Sequence, residues 1–355
     1  MKNVDVICDL QFGSTGKGLI AGYWAKQNEP DVVVTAWSMN AGHTFIDEDG
    51  TEYVHCMLAN GIVSPKIKYV LIGPGSQIGL RKLFEEVRDS GFDKPVYIHE
   101  HACIIRQRHI DQENDTMTGI GSTKKGCGAA LAEKIGRNPL TPIVAKHYKD
   151  EVMRMCKEYR VHVEVLSSAE YNKMVDAAKC IQVEGAQGFS LGINSGFYPY
   201  TTSRECTPAQ IMVDCGLPIR KMRHVIGTMR TYPIRVANRY DDMGEMVGWS
   251  GPCYPDQHEI SFEDLGVRQE LTTVTQLPRR IFTFSKDQTK EAVRMVRPDF
   301  VFLNFINYCQ DEDEAMQIIN SIDNICHWYG LSGVTHLGVG PKVTDVVPYS
   351  GELRL

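Results

Sequence analysis

The feature that most constrains this chain is a short stretch near its start, Gly13-Ser14-Thr15-Gly16-Lys17-Gly18. It follows an apolar run over residues 4–9 and precedes Leu19, Ile20, Tyr23 and Trp24, which recur at helical spacing. Strand, glycine-rich turn and helix in that order suit phosphate. Glycines let backbone N–H groups close on phosphate oxygens, a helix N-terminus favours negative charge, and a lysine adds a point charge. The stretch departs from the common nucleotide-binding loop. Only Ser14 and Thr15 separate Gly13 from Gly16, Gly18 stands where a Ser or Thr would bind magnesium, and no carboxylate lies within it. Alone, it also reads as a glycine-rich turn carrying an exposed lysine.

Further apolar runs at 31–36, 69–75, 95–100, 180–185 and 299–306 read as strands, with helical stretches between several of them, one around 80–90. Asp49-Gly50 predicts a hairpin. This alternation predicts an α/β fold, P-loop-like, with a mainly parallel central sheet flanked by helices and with loop and hairpin subdomains. Neither a repeat nor a linker interrupts residues 1–355, which read as a single large domain. A chain of 355 residues, 43% hydrophobic and 23% charged, has the composition of a soluble globular protein. Its net charge of −6 argues against a general nucleic-acid partner. No apolar run is long enough to span a membrane, and the N-terminus lacks a signal-peptide core. Eleven cysteines without a CxxC pair read as free thiols in a reducing cytoplasm.

Ligands gather beyond the carboxyl ends of strands in such sheets, and most of the unusual segments fall there. NAGHT (40–44) places His43 in a loop where an imidazole could act as acid or stabilise charge; a lone histidine is as readily structural. The stretch 184–203, EGAQGFSLGINSGFYPYTTS, is rich in small and amide side chains and suits either a ligand-hugging or a plain surface loop. QLPRRIF (276–282) offers Arg279 and Arg280 for carboxylates, or as a solvated basic patch. His99-Glu100-His101 lacks a third ligand at metal spacing and reads as structural.

Together these segments resemble the adenylosuccinate synthetase family. GSTGKG is similar to its GDEGKG loop, and NAGHT and EGAQG match unchanged. GPGSQI (73–78) is similar to GNGVV, GSTKKGCG (121–128) to GTTGRGIG, and GFYPYTTS (196–203) to GTYPYVTS. PRR (278–280) matches part of the aspartate loop, and GVGP (338–341) the late GxGP. The order is kept from residue 4 to about residue 345. The resemblance implies a C–N bond-forming ligase that joins aspartate to C6 of a purine nucleotide, using a nucleoside triphosphate and Mg²⁺. It implies Ser14, Lys17 and His43 as the catalytic positions. Ser14, Asn40, Thr123, Arg137, Gln187, Thr202 and Val236 would hold the purine nucleotide, with Arg137 reaching across a homodimer interface. Gly13, Thr15, Gly16, Lys17, Gly18, Gly42, His43, Thr44, Asn304, Phe305, Asn307, Gly338, Gly340 and Pro341 would hold the triphosphate. Thr275, Gln276 and Arg279 would bind aspartate, and Ser14 and the Gly42 carbonyl would face the metal.

Three departures from the family pattern carry further expectations. Ser14 replaces the aspartate that removes the purine N1 proton; a smaller hydroxyl leaves room for the 2-amino group of guanine and can accept a hydrogen bond from it. Leu277 replaces an arginine that contacts the ribose, and can pack beside a deoxyribose. LNFIN (303–307) replaces TKLD; Asn307, with both a donor and an acceptor, matches adenine where aspartate matches guanine. These changes resemble a bacteriophage branch of the family that serves diaminopurine synthesis. The expected reaction is dGMP, L-aspartate and ATP (or dATP) giving 2-amino-2′-deoxyadenylosuccinate, ADP (or dADP) and phosphate, in the host-cell cytoplasm. The rivals are a compact synthetase acting on IMP and a non-catalytic nucleotide-binding relative.

Overall fold

A computed structural model describes residues 2–272, 275–351 and 353. Ten strands form one sheet: β1 (Val4–Asp9), β2 (Val32–Thr35), β3 (Tyr69–Ile72), β4 (Val96–His99), β5 (Val163–Leu166), β6 (Ile181–Glu184), β7 (Met222–Arg230), β8 (Phe300–Asn304), β9 (Val334–Gly338) and β10 (Val346–Pro348). Their spatial order is β5-β4-β3-β2-β6-β1-β7-β8-β9-β10, parallel throughout except for the antiparallel β9–β10 edge. The mainly parallel α/β architecture expected from the sequence is thus present.

β1 lies between β6 and β7, with Val6 opposite Val183 on one side and Val225 on the other. All six of its residues are buried. Side chains alternate across a strand, so Val4, Val6 and Cys8 enter one core while Ile7 enters the other. Each buried Val or Ile contributes about 1.5–3 kcal/mol from apolar burial. That anchors the strand whose end presents the glycine loop.

The strands read from the sequence are present, as is the hairpin His43–Ile46 with Glu52–His55 around Asp49-Gly50. Strands β5, β7, β9 and β10 were not legible. β7, MRHVIGTMR, mixes Arg, His and Gly and shows no clear period. It is a strand because both its edges are paired, with β1 and with β8.

Helix α1 (Lys17–Asn28) packs unusually close to the hairpin. A Cβ on Gly18 would lie 2.4 Å from the Thr44 carbonyl, and one on Gly22 2.1 Å from the Phe45 ring. Glycine at position 18 is therefore demanded by packing. Two short three-stranded sheets lie outside the central one: Ile234–Arg235 with Arg280–Phe282 and Glu259–Ile260, and Arg239–Tyr240 with Met246–Trp249 and Gly119–Ile120. All eleven cysteines are free thiols. Among the described residues, no helix is long and apolar enough to cross a membrane.

Candidate active site

The chain leaves β1 and turns through left-handed conformations at Gly13, Ser14 and Gly16 (φ 96°, 55° and 82°) before entering α1. Two of these are glycines, which adopt such φ without strain; Ser14 must be held there by its neighbours. A carboxylate outside the loop supports it. Asp9, at the end of β1 and 1% exposed, accepts hydrogen bonds from the backbone N–H groups of Gln11 (2.8 Å) and Gly13 (3.2 Å). It also accepts from Thr15 Oγ1 (2.5 Å) and from Lys17 Nζ (3.0 Å). Lys17 donates as well to the Gln187 carbonyl (2.8 Å). Asp9 thus sets the loop's shape and balances its buried lysine. The sequence reading missed it, although an acid ending an apolar strand just before a glycine loop was a visible signal.

Above the loop opens a cavity of about 740 Å³. Gly13, Ser14, Gly16, Lys17 and Gly18 form one wall, and Asn40, Gly42, His43 and Thr44 another. Thr123, Gln187, Thr202, Val236, Thr275, Arg279 and Phe305 also line it. The segments 13–18, 40–44, 187 and 305 converge here because each leaves the carboxyl end of a central strand, β1, β2, β6 and β8, while Thr123, Thr202, Val236, Thr275 and Arg279 reach in from loops and the short outer sheets. Gln187, itself at φ 55°, donates from Nε2 to Asn40 Oδ1 (3.2 Å), joining two of the expected nucleotide contacts.

The remaining expected positions lie apart from the lining. Thr15 points down to Asp9 and to Thr228 Oγ1 (2.6 Å). Asn304 donates to the Thr15 carbonyl (2.6 Å) and packs against Gly16 and Gly338, which brace the loop from behind. Gly340 packs against Asp345, while Asn307 and Pro341 are exposed. Gln276 is exposed and in the left-handed region (φ 54°). Leu277 is outside the cavity lining; its backbone is bonded to Thr272. Arg137 is exposed just beyond helix Cys127–Gly136 and does not reach the cavity of its own chain.

His43 is buried and stacked on Trp37, with ring centroids 4.0 Å apart and planes 11° apart. Burial, the Lys17 ammonium and the neighbouring His55 hold its imidazole well below the usual range. The stacking fixes the plane of its ring. Trp37 is in turn fixed by a hydrogen bond from Nε1 to the Glu184 carbonyl (2.6 Å). The Glu184 carboxyl, at the start of the EGAQG segment, accepts from the Asn60 and Gly61 N–H groups, and burial pushes it up to about 7.

A charge cluster surrounds Ser14. Arg279 donates from Nη1 to Ser14 Oγ, and Arg230 from Nη1 to the Ser14 carbonyl (3.2 Å). Arg230 is fully buried, lies 3.9 Å from the Phe305 ring centroid and is paired with Glu270 (2.6 Å). Burial pushes the Glu270 carboxyl up, but the two arginines and Tyr308 outweigh it and hold it below the usual range. Arg230 and Glu270 had no sequence motif to betray them.

A glycine-rich loop with a buried lysine, a buried imidazole and an arginine bonded to Ser14 share one cavity, and the fold around them is that of a known family. The family model described as adenylosuccinate synthetase matches residues 6–155 and 141–314, and the chain belongs to that family. Within it, the chain is 57% identical over 345 residues to the N6-succino-2-amino-2′-deoxyadenylate synthase of Acinetobacter phage SH-Ab 15497, covering 91% of this chain and 89% of that one. It is 44% identical to the enzyme of the same name from Cyanophage S-2L, covering 100% and 95%. The solved structure of the Cyanophage S-2L succinoaminodeoxyadenylate synthetase, described as bound to dGMP and to dATP as an energy donor, superposes with a TM-score of 0.88 at 43% identity, covering 98% and 95%. Plasmodium falciparum adenylosuccinate synthetase, at 18% identity and a TM-score of 0.74, shares the fold.

Proposed function

We propose that this protein is a ligase condensing dGMP with L-aspartate, driven by ATP or dATP, to give 2-amino-2′-deoxyadenylosuccinate, ADP or dADP, and phosphate. The observation that carries the reading is Ser14. It lines the cavity in place of the family's aspartate, and its hydroxyl is held by Arg279. A carboxylate there would crowd the 2-amino group of guanine and would take Arg279 into an ion pair; a hydroxyl leaves room for the 2-amino group and accepts from Nη1 of Arg279. The synthases named above, at 57% and 44% identity, support the same assignment.

The purine N1 gives up its proton to solvent as O6 attacks the γ-phosphorus, and the β–γ bond breaks to release ADP or dADP; the aspartate amine then attacks C6, the 6-phosphoryl group leaves as phosphate and the amine loses a proton to solvent. Lys17 and the loop N–H groups hold the phosphates, and a neutral His43 donates to the phosphoryl oxygen. Arg279 and Thr275 clamp the aspartate carboxylates. Mg²⁺ prefers hard oxygen ligands and keeps waters, so the Gly42 carbonyl in the cavity wall fits it; Ser14 Oγ, already bonded to a guanidinium, fits less well. When bound, the ion neutralises phosphate charge. The whole chain acts as one domain, in the host-cell cytoplasm. Arg137, outside its own cavity, reaches the nucleotide phosphate of a second subunit in a homodimer, beside exposed Ile135 and Leu140.

Purified protein with Mg²⁺, ATP and aspartate is offered dGMP or IMP separately, and products are followed by mass spectrometry. The reading requires a succino product from dGMP; a product from IMP alone refutes it. Ser14→Asp should cut turnover of dGMP more than that of IMP. A mutant that handles dGMP as well as the parent does removes the steric argument.

A further inference from the structure

We infer that Glu270 is a positioning residue for Ser14, acting through Arg230 and Arg279, and that it thereby sets the enzyme's preference for a purine carrying a 2-amino group. The inference rests on the dGMP reading above and adds the group that orients the discriminating hydroxyl.

Ser14 is a non-glycine residue in the left-handed region, and two guanidiniums hold it. Arg230 fixes its carbonyl and Arg279 its hydroxyl. Both arginines converge on one carboxylate. Glu270 takes Arg230 through both oxygens (Nη2–Oε1 2.6 Å, Nη1–Oε2 3.3 Å), lies 3.8 Å from Arg279 Nε, and accepts from Tyr308 (2.9 Å). Two cations sharing a mostly buried site repel each other unless a negative charge lies between them. Glu270 supplies that charge. Without it, Arg279 is driven away from Arg230, and the Ser14 hydroxyl loses its donor.

The geometry has a chemical consequence. Ser14 Oγ accepts from Arg279, so its own hydrogen is turned elsewhere and one lone pair remains for the cavity. Orientation of that remaining pair and of the O–H bond is what a 2-amino group would sense. Glu270 lines the same cavity, yet its oxygens are occupied by Arg230 and Tyr308, which suits holding neighbours in place and not removing a proton.

The test is a double-mutant cycle on the full chain. Affinities for dGMP and dIMP, which differ only by the 2-amino group, are measured by calorimetry for the parent, Glu270→Gln, Ser14→Ala and the double variant. Glu270→Gln is expected to lower the dGMP-over-dIMP ratio about tenfold, and in the Ser14→Ala background it is expected to change that ratio less than about twofold. An equal effect in both backgrounds overturns the inference, as does a parent that binds the two nucleotides alike. Thermal midpoints are recorded for each variant. If Glu270→Gln does not fold, Glu270→Asp, which keeps the charge one methylene further away, replaces it in the same cycle with the same criterion. Turnover of dGMP by the parent is scored separately, so absence of product refutes the ligase reading while the binding cycle still decides the role of Glu270.

Discussion

Replacing Asp9 by Asn tests what holds the phosphate loop. Asp9 is 1% exposed and receives four hydrogen bonds, from Gln11 N, Gly13 N, Thr15 Oγ1 and Lys17 Nζ. Its partner Lys17 is 7% exposed. An asparagine keeps one acceptor oxygen but turns an NH₂ toward the hydroxyl and the ammonium, and it leaves the buried cation without a counter-charge. Removing one member of a buried ion pair costs about 3–5 kcal/mol. The Gln187 carbonyl, 2.8 Å from Nζ, still receives one lysine N–H, so the low end of that range is expected, about 3 kcal/mol. Equilibrium unfolding in urea would be measured for the parent, Asp9→Asn, Lys17→Met and the double variant. The double variant should lose much less than the sum of the singles, because without the cation the carboxylate has no charge to balance. A loss below about 1 kcal/mol for Asp9→Asn, or strict additivity with Lys17→Met, would show that Asp9 does not hold the lysine.

Gly18→Ser, which restores the residue type of the common nucleotide-binding loop, should destabilise the protein by about 1–3 kcal/mol. Its Cβ would lie 2.4 Å from the Thr44 carbonyl and 2.5 Å from Asn60 Nδ2. An unchanged thermal midpoint would mean that the helix–hairpin contact is slack. Stability should also fall as pH drops from about 6.5 toward about 4. Burial lowers His99 and His336 from 6.5 to about 4, and lowers His43 and His55, so the unfolded chain binds more protons in that window. Glu184 works the other way: raised from 4.5 to about 7, it contributes stability that is present below 4.5 and lost as pH rises through 7. Replacing His336, stacked on Phe302 at 4.1 Å, by Gln should flatten the acid-side slope of urea midpoint against pH. An unaltered slope would exclude His336 as a contributor.

What is local was legible in the order of residues. The apolar run before GSTGKG, the helical spacing after it and the Asp49-Gly50 turn each depend on neighbours a few residues away, and each appears where it was expected. Ser14, Lys17, His43, Gln187 and Arg279 were legible because motifs mark them, and one cavity gathers them. What depends on distant partners was set by how the chain folds back on itself. β7 is a strand because β1 and β8 pair with both its edges, against its own mixed composition. Arg230 bonds to Ser14 across 216 positions and Arg279 across 265, and Glu270 joins the two arginines from a segment without any motif. Asp9 is one step from legible: it ends a strand that the apolar pattern predicts, but only the turn of the backbone brings Thr15 and Lys17 back onto its carboxylate. Hydrogen bonds and charges act over a few ångströms in space whatever the separation along the chain, so the loop's residues were visible in the sequence while the groups that hold them were not.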